Sequence, residues 1–215
     1  YYLLTILYKI GFEFFTCMQI LNILGLILPA ITMFVFARNF LSNRAAILSG
    51  ILYTLSNYHL YTIYLSGQRV EAFAWSYLPI LLHNIYKAYK TSASKYFYFT
   101  ALWIFLFIIT HHSTFIIVII PVLFFIMMLN ISEKKDKFLI KIILAIIIGF
   151  LLSSFFLIPC LLEKKNVLFG IKPDNDYRNN FFELYQILFY FFWPKTNNPL
   201  FMPQSLNLAA VLFAV

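Results

Sequence analysis

The chain has 215 residues and a formal net charge of +8, yet only 11% of its residues are charged while 62% are hydrophobic. A soluble domain carries about 25% charged and about 45–50% apolar residues, so the composition excludes that class and predicts an all-α, polytopic helical membrane protein embedded in the lipid bilayer. The 26 Phe and 15 Tyr suit lipid-facing surfaces and membrane interfaces, and nothing in the charge pattern points to nucleic acid.

Residues 1–12 are too short to cross a bilayer alone and are set off by Gly11 and Glu13, so they are expected to lie in the plane of the outer interface. A crossing helix needs roughly 20 apolar residues, within about 17 to 25. The runs that meet or approach this are 17–37, 45–65, 70–86, 96–109 joined to 115–131, and 138–162. As one helix, the joined run would extend about 54 Å, far beyond a hydrocarbon core of about 30 Å. A break at Thr110-His111-His112-Ser113 turns it into a hairpin and gives about six transmembrane helices. Pro29, Pro79, Pro121 and Pro159 fall inside these runs. They predict kinks, because neighbouring helices and hydroxyl side chains can take up the carbonyls that proline frees.

Segments 38–44, 87–95 and 134–141 hold nine of the 16 Lys and Arg. The positive-inside rule places them in the cytoplasm, which predicts a multi-pass protein of the cell membrane with residues 56–71, 110–113 and 163–180 on or near the outer face. Residues 181–193, aromatic and closed by Pro194, are expected to form a second in-plane helix. Cys17 and Cys160 lie in apolar runs and read as small apolar fillers. The whole of residues 1–215 is expected to be a single membrane domain, a piece of a longer chain whose next transmembrane helix is cut at Val215.

The segment SNYHLYTIYLSGQRVE, residues 56–71, sets His59, Gln68, Arg69 and Glu71 between apolar runs. An ionised side chain at membrane depth costs about 3 kcal/mol by insertion scales, so such groups need an interface, a partner or a water-filled site. Arg69 and Glu71 are two apart and do not face each other on a helix; each is expected to look to His59, His111 or a ligand. The plainer alternative is a pair of interfacial charges at a helix start, where an acid also suits the helix dipole. His59 alone reads as a hydrogen-bonded interface residue. His111 and His112 are adjacent and lack the i, i+4 spacing with which two histidines share a metal, so no metal site is predicted. Lys164, Lys165, Lys172 and Arg178 read as a solvated loop able to attract phosphate.

Ser56-Asn57-Tyr58-His59-Leu60, then Gly67 and Glu71, then Leu78-Pro79, resemble the "SPYHL…RGxxxE…LP" region of a family of bacterial and archaeal membrane proteins. That family is labelled 6-pyruvoyl-tetrahydropterin synthase-related membrane domain. Residues 106–112 resemble its "LxxLTHN" hairpin tip, and residues 154–159 with Glu163 its "SAFFLLPxLLE" segment. Asn57 stands where the family has proline and His112 where it has asparagine. The family arginine falls on Ser66, with Arg69 three residues, about one helical turn, later.

The resemblance implies a GT-C-like membrane glycosyltransferase architecture that moves a sugar from a polyprenyl-phosphate carrier to an envelope or surface acceptor, a glycan or protein, on the outer face. It implies a main catalytic acid in an outer loop before Tyr1. Within the chain, Arg69 would hold the carrier phosphate, with His59, Gln68, Glu71, His111 and His112 as further substrate-binding candidates and Glu71 a base only by default. No cofactor is expected here, a divalent metal being left to the full-length protein. The rival readings are a transporter or lipid flippase, whose polar groups would lie near the midplane on broken helices, and a non-catalytic membrane scaffold.

Overall fold

The computed structural model describes residues 2–64, 67–132 and 135–163. Residues 164–180 of the basic loop and the expected in-plane helix 181–193 lie outside the described residues, as does Ser66. The described residues form nine helices and no strand. These are α1 (Tyr2–Ile10), α2 (Phe14–Ala37), α3 (Asn43–Thr54), α4 (Asn57–Tyr64), α5 (Arg69–Ala74), α6 (Tyr77–Thr91), α7 (Ser94–Ser132), α8 (Asp136–Leu152) and α9 (Ser154–Glu163).

Helix α2 begins after Gly11, whose φ of +109° ends α1 in a conformation that costs glycine little. It closes where Asn39 Nδ2 reaches the Phe36 carbonyl at 2.7 Å and takes up a terminal acceptor. Ser42 caps α3 by accepting from the Ala45 amide. The two helices cross closely: a Cβ on Gly50 would lie 2.5 Å from the Ala30 carbonyl oxygen. Small residues permit such approaches between membrane helices.

The expected break in the fourth run is present. His111 leaves helical geometry at φ −154°, ψ 85°, and the chain doubles back there. The rings of Phe97, near the start of α7, and Phe138, beyond its end, lie 6.4 Å apart, whereas a straight helix would separate residues 97 and 132 by about 50 Å. A capping interaction holds the turn: His111 Nδ1 accepts from the Thr114 amide at 3.3 Å and lies 2.7 Å from the Thr114 hydroxyl. His111 thus serves the second arm of α7 as an N-cap residue serves a helix start.

Phe107, Ile104, Ile108 and Val122 of both arms of α7, Leu81 and Ile85 of α6, and Ile142 of α8 share one buried cluster. Elsewhere the surface is apolar: Ile117, Ile120 and Phe124 on α7 and Ile140, Leu144 and Leu151 on α8 are exposed. Such a continuous apolar exterior suits lipid rather than water. The three basic segments gather at one end. The Phe40 ring lies tilted against Tyr86 at 4.7 Å, Phe36 meets Phe125 edge-on at 5.9 Å, and Lys135 Nζ reaches the Tyr89 carbonyl at 3.4 Å.

Among the described residues two helices, or three with one bent pair, have the length and apolarity of a crossing, against about six expected run by run. Phe14–Ala37 and Ser94–Ile131 are long and apolar enough to cross a membrane; Asp136–Leu152 with Ser154–Glu163, bent by 61°, makes a third if the pair is one broken span. The run 45–65 is divided into α3 and α4 at Leu55-Ser56, and the run 70–86 into α5 and α6 at Trp75-Ser76. Hydropathy sees these runs as continuous because the interrupting residues are few. Pro79 accordingly lies in the first turn of α6 rather than at a mid-helix kink, whereas Pro29, Pro121 and Pro159 are inside helices.

Candidate functional site

Side chains near the interruptions meet carbonyls that proline leaves without a partner. Pro29 has no N–H, so the carbonyl of Gly25, four residues earlier, loses its helical partner. His59 Nε2 sits 2.8 Å from that carbonyl; because a carbonyl only accepts, Nε2 carries the proton. At the next residue of α2 the Thr54 hydroxyl bonds the Leu26 carbonyl at 3.3 Å, a carbonyl that proline does not free. The same device recurs at Pro79, which frees the Trp75 carbonyl; the Tyr53 hydroxyl takes it at 2.9 Å. Side chains of α3 and α4 therefore complete backbone hydrogen bonds that proline removed from α2 and α6, as membrane depth requires.

His59 is 3% exposed and occupied by Gly25. The structural reading of this residue holds, and it does not line the cleft described below. Glu71 is likewise buried, at 7% exposure, and its Oε1 accepts from the Tyr58 hydroxyl. The T-shaped contact of Tyr58 with Trp75, centroids 5.8 Å apart, backs this bond. The Trp75 Nε1 is buried without a hydrogen-bond partner among the described residues.

Arg69 and Glu71 do not pair, in keeping with their spacing, and the hydrogen bonds of their side chains go to Asn22 and Tyr58. Arg69 Nε donates to Asn22 Oδ1 at 2.8 Å. Asn22 is neutral, so the contact orients the guanidinium and leaves its charge uncancelled. His111 and Glu71 are near enough to interact electrostatically, while the His111 ring is engaged with Thr114. His112 is half-buried, its ring 5.8 Å from that of Phe156. Gln68 is exposed and acts through its backbone, its carbonyl accepting from the Ala72 amide at 3.1 Å to start α5.

What Arg69 faces is a cleft of about 460 Å³, within the range of small-molecule sites. Leu21, Val70, Phe73, Ile109 and Phe156 give it apolar walls, Leu3 and Leu4 of α1 join them, and Arg69, Tyr77 and Thr110 supply its polar groups. The Thr110 and Tyr77 hydroxyls lie 3.5 Å apart, and Tyr77 is held by rings of Phe73, Trp103 and Phe107. A permanent cation beside two hydroxyls, within apolar walls, can hold an anionic head attached to an apolar chain. Among the described residues no group of three His, Cys, Asp or Glu side chains is placed to hold a metal ion.

Of the candidates predicted from sequence, Arg69 lines the cleft; His59 and Glu71 stand behind it, His111 and His112 at the hairpin turn beside it. Asn22, Tyr58, Tyr77 and Thr110 were not singled out as site residues. The signal for Asn22 was an amide inside an apolar run, and for Tyr58 its place in the Ser56–Leu60 motif. The depth of the cluster also differs from the outer rim expected. Asn22 and Gly25 lie eight and eleven residues into α2, about 12 and 17 Å along the helix.

Comparison with curated proteins and with solved structures gave no significant match. A family model described as 6-pyruvoyl-tetrahydropterin synthase related domain, a membrane protein, matches residues 1–202, and the chain belongs to that family of membrane proteins.

Proposed function

We infer that the Arg69 cleft receives the phosphate-bearing head of a lipid-linked substrate, and that the protein works as a membrane glycosyltransferase of GT-C-like architecture. It passes a sugar from a polyprenyl-phosphate carrier to a glycan or protein acceptor on the outer face of the cell membrane. The observation that carries this reading is the cleft itself: a guanidinium with a neutral partner, Asn22, beside the Tyr77 and Thr110 hydroxyls within apolar walls. Charge-assisted bonds from arginine suit phosphate geometry, and the walls suit the first isoprene units. The six-crossing topology belongs to this reading, with the two arms of α7 as separate crossings and the basic end in the cytoplasm.

Glu71 is a poor base in this arrangement, being buried and occupied by Tyr58, so the reading does not give it the role of catalytic acid. His59, Glu71 and His111 support the cleft rather than contact the substrate. In the full-length protein, Arg69→Ala should abolish transfer from a labelled polyprenyl-phosphate sugar while the membrane level stays normal. Unchanged transfer would sink the assignment.

One observation favours a second reading, a transporter or lipid flippase. The polar contacts lie part-way along α2, on the interrupted helices α3, α4 and α5, as transporter sites do. Sealed vesicles loaded with the labelled lipid separate the two readings: sugar on the acceptor marks the transferase, and label moved between leaflets without transfer marks the transporter. Neither outcome would leave a non-catalytic scaffold.

A further inference from the structure

A second cleft, of about 210 Å³, opens between the first arm of α7 and α8 towards the lysine-rich end. Ala101 and Ala145 are both buried, and as small side chains they leave this space open as its floor. One turn further along α8 the gap closes, because a Cβ on Gly149 would lie 2.6 Å from Ile104 Cγ2. Leu144 and Ile148 wall the cleft and are exposed on the outer surface, with Ser94 and Lys141 also in its lining. The Lys141 ammonium lies 5.4 Å from the centroid of the Phe97 ring, which holds it beside the opening.

The surrounding charge is mostly positive. From Lys87 to Lys141 the described residues include six lysines and one acid, Asp136. Several of the ammonium groups rest on aromatic rings, Lys135 on Tyr89 at 4.2 Å and Lys95 on Tyr96 at 5.1 Å. Basic pockets between membrane helices bind anionic lipid heads, and clustered lysines are drawn to anionic leaflets.

We propose that this cleft is a site for an anionic phospholipid of the adjoining leaflet, with its phosphate at Lys141 and Ser94 and an acyl chain along Ala101, Leu144 and Ile148. The site is separate from the Arg69 cleft and does not depend on the activity proposed for it. A neutral groove would accept any acyl chain; the lysine at this opening selects the head.

Native mass spectrometry of the full-length protein tests the site, with phosphatidylglycerol and phosphatidylcholine of identical chains supplied in equal amounts. The native protein should retain phosphatidylglycerol in preference by about fivefold, and Lys141→Gln should lower that retention by about threefold. Lys141→Arg should preserve it, and Leu144→Trp, which fills the cleft without changing charge, should lower it as well. Lys90→Gln removes the same charge from a lysine seated on Tyr86 and Tyr89, outside the cleft, and should leave retention within about 1.5-fold. Equal retention of the two lipids by the native protein overturns the proposal, and so do equal losses in Lys90→Gln and Lys141→Gln.

Discussion

The two halves of the bundle solve the same solvent problem differently. From α6 to α8 the helices bury apolar side chains against one another: Phe107, Leu81, Ile85, Ile104 and Ile142 are fully enclosed, and α7 reverses through a single capped residue. From α2 to α5 the helices are shorter after α2, and Pro29 opens the hydrogen-bond ladder of α2. There the contacts that join elements include single polar bonds: His59 to Gly25, Thr54 to Leu26, Tyr53 to Trp75, Arg69 to Asn22. The first half derives its order from packing area, which is tolerant of small chemical changes. The second adds to close helix packing, as at Gly50 and Ala30, bonds to specific backbone acceptors, which set polar side chains among the helices and accompany a cation beside a cleft. The Arg69 cleft therefore lies where the backbone is already interrupted.

Substitutions can test that contrast. The largest loss should follow from Phe107→Ala, which removes a fully buried ring touching Tyr77 and Phe115; about 4 kcal/mol is expected from its size, read from unfolding in mixed detergent micelles. His59→Ala should cost about 2 kcal/mol, because it strands the Gly25 carbonyl. The informative comparison is the double variant. Pro29→Ala restores an N–H to that carbonyl, so His59→Ala should cost much less in its background. An unchanged cost would show that His59 matters for some reason other than the freed acceptor. Tyr53→Phe should cost about 1 kcal/mol and respond to Pro79→Ala in the same way.

The packed half was the more legible from sequence. The break at His111 followed from the length of the run against the bilayer, and the gathering of the three basic segments at one end followed from the hairpin it creates. The failure of Arg69 to pair with Glu71 followed from helical spacing. The interrupted half was read less well, for a physical reason. Hydropathy sums apolarity along a window, and a divided run such as 45–65 scores almost as a continuous one. The bonds that matter there link residues 34 and 47 apart, His59 to Gly25 and Arg69 to Asn22, and which helix faces which is a property of packing. The prolines are legible in the sequence, and each implies a freed carbonyl. What the sequence did not specify was that the histidine singled out as a ligand candidate would be the donor for one of them.

The central claim is that Arg69 serves a ligand while His59 serves the backbone. Binding of a polyprenyl phosphate to the full-length protein, measured alongside unfolding for Arg69→Ala and His59→Ala, addresses both at once. The account predicts that Arg69→Ala weakens binding by at least about tenfold, the scale of one lost charge-assisted contact, with little change in unfolding. His59→Ala should lower stability while the protein that remains folded still binds. If Arg69→Ala binds the polyprenyl phosphate as tightly as the native protein does, the cleft is not its site and the functional reading is wrong.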